Sequence, residues 1–154
     1  MGSRSAGLLV YRIRQSAIEV LLVHPGGPFW ARRDAGAWSI PKGEYLDDED
    51  AQAAARREFT EETGWTIDGE LRPLGDIRQK AGKTVTAFAA EGDFDPATLD
   101  SNPFEMEWPP KSGRKASFPE IDRAGWFGLG EAREKMIEGQ RPLLDRLEAL
   151  LGTD

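Results

Sequence analysis

The sequence predicts an α/β fold in which a mixed β-sheet lies between helices. Three observations carry that prediction. Apolar stretches of strand length stand on both sides of a single unbroken helical run. Pro- and Gly-containing turns separate those stretches at short intervals. A second helical run closes the chain, so the order is strands, helix, strands, helix around one core. At 154 residues the chain suits one domain, 1–154, with enough apolar content for a real core.

Taken in order, Ala6 to Arg14 reads as a strand and Ala17 to Val23 as a second, apolar enough to be buried on both faces. The polar Arg14-Gln15-Ser16 between them suits a hairpin turn. His24-Pro25-Gly26-Gly27-Pro28 ends the second strand. His24 is the only histidine, and with no evident partner it reads as structural or exposed rather than catalytic. The loop from Phe29 to Trp38 is aromatic and basic. Its rings can stack on a nucleobase and its arginines can meet phosphate, or Phe29 and Trp30 can simply pin the loop to the core.

A helix is predicted over Ala51 to Thr63, where nothing breaks it, with Asp50 or Asp48 as N-cap and Gly64 as the left-handed C-terminal cap. Strands follow at Trp65 to Leu74, ending at Pro73, then at Gly75 to Lys80 and Thr84 to Ala90, the last two joined around Ala81-Gly82. Gly82-Lys83-Thr84 is not the end of a phosphate-binding P-loop, because Ile77 stands where that motif needs glycine. Asp93 to Lys115, with its prolines, reads as a long irregular loop that shapes the substrate site. Phe118 to Phe127 returns to order. Leu129 to Leu151 reads as helix split near Gly139 and Pro142, with Leu143, Leu144, Leu147, Leu150 and Leu151 forming a stripe that packs on the sheet. A dimer contact is the alternative use of that stripe, so the chain is expected to be a monomer or homodimer.

Composition removes whole classes of function. A formal charge of -7 and a pI near 4.9 argue against nonspecific binding to nucleic acid or anionic membranes. An acidic enzyme still takes polyphosphates when metal ions neutralise the contact. The chain has no cysteine, which excludes disulfides, thiolate metal sites and cysteine nucleophiles. The amino terminus lacks the apolar run of a signal peptide and no segment has the length of a bilayer span, so a soluble, cytoplasmic protein is expected.

The chemistry concentrates between Gly43 and Trp65. On the predicted helix Glu58, Glu61 and Glu62 fall at i, i+3 and i+4, so their carboxylates share one face. Like charges at that spacing repel, costing roughly 0.2–0.5 kcal/mol per pair in an isolated helix. Spacing alone leaves two readings open: a solvated acidic face, or a set of hard oxygen ligands for a divalent cation.

Gly43, five residues, Glu49, seven residues, and then Arg57-Glu58-Phe59-Thr60-Glu61-Glu62-Thr63-Gly64-Trp65 resembles the Nudix box in every fixed position. The resemblance implies an α/β/α sandwich and hydrolysis of a nucleoside diphosphate linked to another group. It implies Mg²⁺, with Mn²⁺ as a substitute, held by Glu58, Glu61, Glu62 and Glu120. It also implies a catalytic set of Arg57, Glu58, Glu61, Glu62 and Glu120, in which Arg57 orients the helix and loop through Glu49 or a box acid. Glu120 enters because Glu120 and Trp126 fit a family arrangement with glutamate six residues before a strand tryptophan. Glu105 and Glu107 are its rivals.

Outside the box, Trp38-Ser39-Ile40-Pro41-Lys42-Gly43 is similar to the entry segment of asymmetric diadenosine tetraphosphate hydrolases. The segment from Lys83 resembles a strand of the same enzymes. Trp38, Lys42 and Lys83 are therefore the expected substrate contacts, with Lys42 toward phosphate. The expected partner is a small nucleotide or polyphosphate, best a diadenosine polyphosphate. A nucleoside triphosphate pyrophosphatase and a nucleotide-binding sensor without turnover are the alternatives, and the intact box acids favour turnover.

Overall fold

Successive side chains of a strand point to opposite faces, and both sets are apolar in β1 (Arg4–Arg14), which places that strand in the middle of a sheet covered on both sides. This is what the computed structural model shows; it describes residues 4–79 and 82–152. β1 turns through Gln15 and Ser16, both at positive φ, into antiparallel β2 (Ala17–Pro25). Short β3 (Lys42–Glu44) pairs with the first residues of β1. After helix α1 (Ala51–Thr63) come β4 (Arg72–Arg78) and β5 (Thr84–Glu91), with β5 parallel to β1. A ribbon of β6 (Pro103–Glu107) and β7 (Lys115–Pro119) precedes β8 (Ile121–Gly128), α2 (Leu129–Lys135) and α3 (Pro142–Gly152). The main sheet runs β4-β5-β1-β2-β8 with β3 beside β1, and its one parallel pair makes it mixed.

One face of the sheet presents Ala6, Leu8, Val10, Leu21 and Phe88 to Ala54, Ala55 and Phe59 of α1. The other presents Leu9, Tyr11, Val20 and Leu22 to Ala132, Leu143, Leu144 and Leu147 of α2 and α3. The result is the expected α/β/α sandwich. The leucine stripe of α3 is spent on the sheet, since Leu143, Leu144 and Leu147 are fully buried. Among the described residues no helix is long and apolar enough to cross a membrane.

Helix α1 begins and ends where the residues predict. Asp50 caps it by accepting from the Ala53 amide at 3.1 Å. Gly64 closes it at φ 81°, a conformation that side chains with a Cβ rarely adopt, and its amide donates to the Thr60 carbonyl at 2.8 Å.

Several expectations need correction. No strand covers Trp65 to Leu74; β4 starts at Arg72 and runs to Arg78. The Arg56 guanidinium donates to the carbonyls of Ile67 at 2.6 Å and Gly69 at 2.7 Å, spending acceptors that a ladder would need. Pro73 lies inside β4 rather than ending it. β4 is an edge strand whose register shifts between Pro73 and Gly75, so the missing amide is tolerated. Lys80 and Ala81, where the sequence predicts the end of one strand and a turn, lie outside the described residues.

The stretch from Asp93 to Lys115 is not irregular throughout. It holds a 3₁₀ turn at Pro96–Thr98 and β6, whose alternation of Phe104 and Met106 with Glu105 and Glu107 was masked by flanking prolines. Glu107 accepts from the Lys111 amide at 3.2 Å and the Gly113 amide at 2.9 Å, closing the ribbon tip. Finally, the ordered stretch from Phe118 to Phe127 is divided between two strands. Glu120 stands at the corner between β7 and β8. β2 also continues past Val23 through His24 to Pro25.

Candidate active site

The acidic face of α1 is packed against β3. A Cβ built on Gly43 would stand 2.0 Å from Glu58 Oε2, so with glycine there the strand backbone meets the carboxylate directly, and a larger residue would turn the glutamate aside. One residue earlier, the Lys42 amide donates to Glu62 Oε1 at 3.3 Å. Arg57 reaches back to both oxygens of Glu49, at 2.9 and 3.0 Å, which ties the loop after β3 to the helix. Its Nη1 also stands 3.3 Å from Glu58 Oε1 and from Glu61 Oε1. Arg57 thus pairs as the sequence predicts, with Glu49 and box acids.

Glu120 is brought to this face by backbone hydrogen bonds, with the Ile121 amide donating to Ser101 Oγ at 3.0 Å beside them. The Asn102 amide donates to the Glu61 carbonyl at 3.3 Å, and the Glu120 amide donates to the Asn102 carbonyl at 2.8 Å. The Glu120 carbonyl in turn accepts from the Gly26 amide at 2.8 Å, so the corner is held from both sides. Of the two rival acids, Glu107 is spent on the ribbon tip and Glu105 lies exposed on β6.

These carboxyls feel one another. Burial pushes Glu62 up to about 8, and the charges of Glu58 and Glu120 add to the rise, against the opposing Lys42 amide. Burial also raises Glu58, with Glu61 and Glu120 contributing. Glu120 is raised by burial and then by Glu61. Lys42 is lowered, first by burial and also by Lys83, while Glu62, Glu44 and Glu58 oppose the shift. Lys83 is exposed and lies within electrostatic reach of Lys42.

A cleft of about 230 Å³ opens beside this cluster, with Lys42, Glu62, Ile40, Trp30, Ile121 and Ile137 in its wall. Trp38 is not among them and needs correction as a substrate contact. It is 5% exposed, its Nε1 donates to Asp34 at 2.8 Å, and its ring meets Phe127 edge-on. The aromatic residue of the loop that faces the cleft is Trp30, 41% exposed. Buried Gln140 was not foreseen; its Oε1 accepts from the Ile40 amide at 3.0 Å and its Nε2 donates to Ser39 Oγ at 2.9 Å, bracing the cleft wall from behind. Nothing local marks a glutamine after Gly139 for that task.

The donor chemistry fits a hard divalent cation: coupled carboxylates whose charge is disfavoured without a counter-ion. Among the described residues no three acids converge closely enough to ligate an ion as they stand. Arg57 Nη1 lies between Glu58 and Glu61, so ligation requires those side chains to turn.

The family model for the NUDIX domain matches residues 2–147, and the chain belongs to the Nudix family. It is therefore an enzyme of the pyrophosphohydrolase class. No curated protein matches the chain by sequence. Among solved structures, it is similar to a Caenorhabditis elegans Ap4A hydrolase in a binary complex, with a TM-score of 0.68, 23% identity and 99% of each chain covered. It is also similar to the NUDIX domain of Shewanella oneidensis NrtR complexed with ADP ribose, with a TM-score of 0.67 and 15% identity over 98% of this chain and 89% of that one. A MutT protein from Methanosarcina mazei Go1 has a TM-score of 0.62 and 21% identity, covering 96% and 93%. These likenesses show the fold.

Proposed function

We propose that the protein hydrolyses a phosphoanhydride bond in a nucleoside diphosphate linked to another moiety, with diadenosine polyphosphate as the preferred substrate. The observation that carries this reading is the cleft itself: Lys42 and Glu62 share its wall with Trp30, and Glu62 is coupled to Glu58 and Glu120. A lysine, an acid coupled to two others and an exposed indole in one wall support this reading. The full-length likeness to an Ap4A hydrolase supports the choice of substrate.

Mg²⁺, or Mn²⁺ in its place, would be held by Glu58, Glu61, Glu62 and Glu120, and when bound would acidify water and neutralise phosphate charge. Lys42 and Lys83 attract the phosphate chain and hold it against the acids. Glu120, or one box glutamate, accepts the proton as water oxygen bonds to phosphorus and the anhydride P–O bond breaks. Arg57 ties the helix to the loop before it through its anchor on Glu49. The cleft is smaller than the roughly 300–1,000 Å³ of typical ligand pockets, so one base occupies it and the rest of a dinucleotide extends over open surface.

A Mg²⁺-dependent panel with chromatographic separation tests the proposal. Diadenosine tetraphosphate should be converted to ATP and AMP faster than nucleoside triphosphates, oxidised triphosphates, a nucleotide sugar or a diphosphoinositol phosphate are turned over. Pyrophosphate released preferentially from triphosphates would keep the chemistry and overturn the substrate. Binding of nucleotide with no turnover across the panel would overturn both.

A further inference from the structure

The chain's only histidine joins two parts of the cleft by its side chain, beyond the backbone hydrogen bond from Gly26 to Glu120. His24, near the end of β2, is 0% exposed. Its Nδ1 stands 2.8 Å from Oδ1 of Asp122 on β8. Its Nε2 stands 2.5 Å from the carbonyl oxygen of Arg33, in the loop between Phe29 and Trp38. The Trp38 ring meets the imidazole edge-on at 5.2 Å.

Both polar partners are acceptors, one a backbone carbonyl and the other a carboxylate. A neutral imidazole carries a single N–H and would leave a lone pair facing a lone pair at the other contact. Making both contacts at once requires hydrogen on both ring nitrogens. Arg123 Nε approaches Asp122 at 3.6 Å and its guanidinium lies 5.4 Å from the Trp38 ring centroid. Asp34 accepts from Trp38 and pairs with Lys135.

Each contact governs a different component of the cleft. The Arg33 carbonyl belongs to the loop that carries Trp30, and the Arg33 guanidinium lies 5.6 Å from the Trp30 ring centroid. Asp122 follows Glu120 by two residues on the corner between β7 and β8. The β2–β8 register shifts between His24 and Pro25, so the ladder is interrupted where the imidazole spans the gap.

We propose that His24 is a positioning residue: with a hydrogen on each ring nitrogen it clasps the cleft loop, at Arg33, to the strand start, at Asp122, and so sets Trp30 relative to Glu120. Its ring does not line the cleft, and it acts only through those two neighbours. The kinetic part of the test rests on the proposed hydrolase reading; the spectroscopic part does not.

Nitrogen-15 spectra of the wild-type imidazole at about pH 7 contain one residue, because the chain has one histidine. Both ring nitrogens should appear protonated, with hydrogens that exchange slowly because the ring is buried. A spectrum with one protonated nitrogen overturns the proposal. In a second arm, His24→Phe keeps a ring and removes both hydrogen bonds. In a folded variant KM should rise about tenfold, the scale of one lost hydrogen bond to a charged group, with a smaller fall in kcat. Values of KM and kcat both within about twofold of wild type would overturn it. If that variant does not fold, or if the wild-type enzyme turns over nothing in the panel, the spectra alone decide.

Discussion

Glu62 carries the most perturbed acid of the cleft, raised by burial from 4.5 to about 8. Between those values the folded protein keeps a proton that the unfolded chain has released. Stability of the metal-free protein therefore falls as pH rises through that window and levels off above it. Denaturant unfolding without divalent ions should show this decline from about pH 5 to about pH 8, and Glu62→Gln should flatten it. A steep decline retained in the variant would show that another group is responsible. Glu61→Gln should keep the fold and lower turnover about a hundredfold or more, the scale of losing a metal ligand. Unchanged turnover would remove Glu61 from the metal set. Glu120→Gln should lower activity with little change in Tm, and a larger loss from Glu105→Gln or Glu107→Gln would move the outlying acid elsewhere. The spacing of Glu58, Glu61 and Glu62 was legible because a helix turns identical offsets onto one face. The burial of Trp38 and the exposure of Trp30 were not, since two tryptophans in one loop look alike until the loop is folded.

At the scale of elements, α1 and β3 form the working unit. Gly43→Ala would place a methyl carbon on the Glu58 carboxylate, 2.0 Å from Oε2. The variant should remain folded, because β3 is short and peripheral, while losing most of its Mg²⁺-dependent activity. Wild-type activity in a folded Gly43→Ala protein would mean that the Glu58 side chain or the strand moves aside without loss. Asp50→Ala should cost about 1 kcal/mol through the lost cap, read by chemical denaturation, with kcat/KM unchanged at temperatures where the protein is folded. The helix ends were readable because capping is local chemistry. The ends of β4 were not: Arg56 withdraws carbonyls from across a turn, and a register shift makes room for Pro73.

At the scale of the molecule, two cores on opposite faces of one sheet separate stability from chemistry. Leu147→Ala, in the core beneath α3 and far in sequence from the box, should lower stability by about 2–5 kcal/mol through a buried cavity, leaving KM unchanged in the folded protein. An altered KM would mean that this core sets the cleft geometry through Gln140, which braces Ile40 and Ser39. The sequence by itself determined the layered α/β architecture, the boundaries of α1 and the shared face of its glutamates. Each follows from periodicity, capping or a short offset, which are properties of neighbouring residues. Only the tertiary structure decided that Glu120 stands at a strand corner tied to Glu61 through Asn102. Only it put Trp30 rather than Trp38 in the cleft wall, and His24 between Arg33 and Asp122. Those relations cross from one element to another, and their cause is the closing of hydrogen bonds between elements, which no local pattern records.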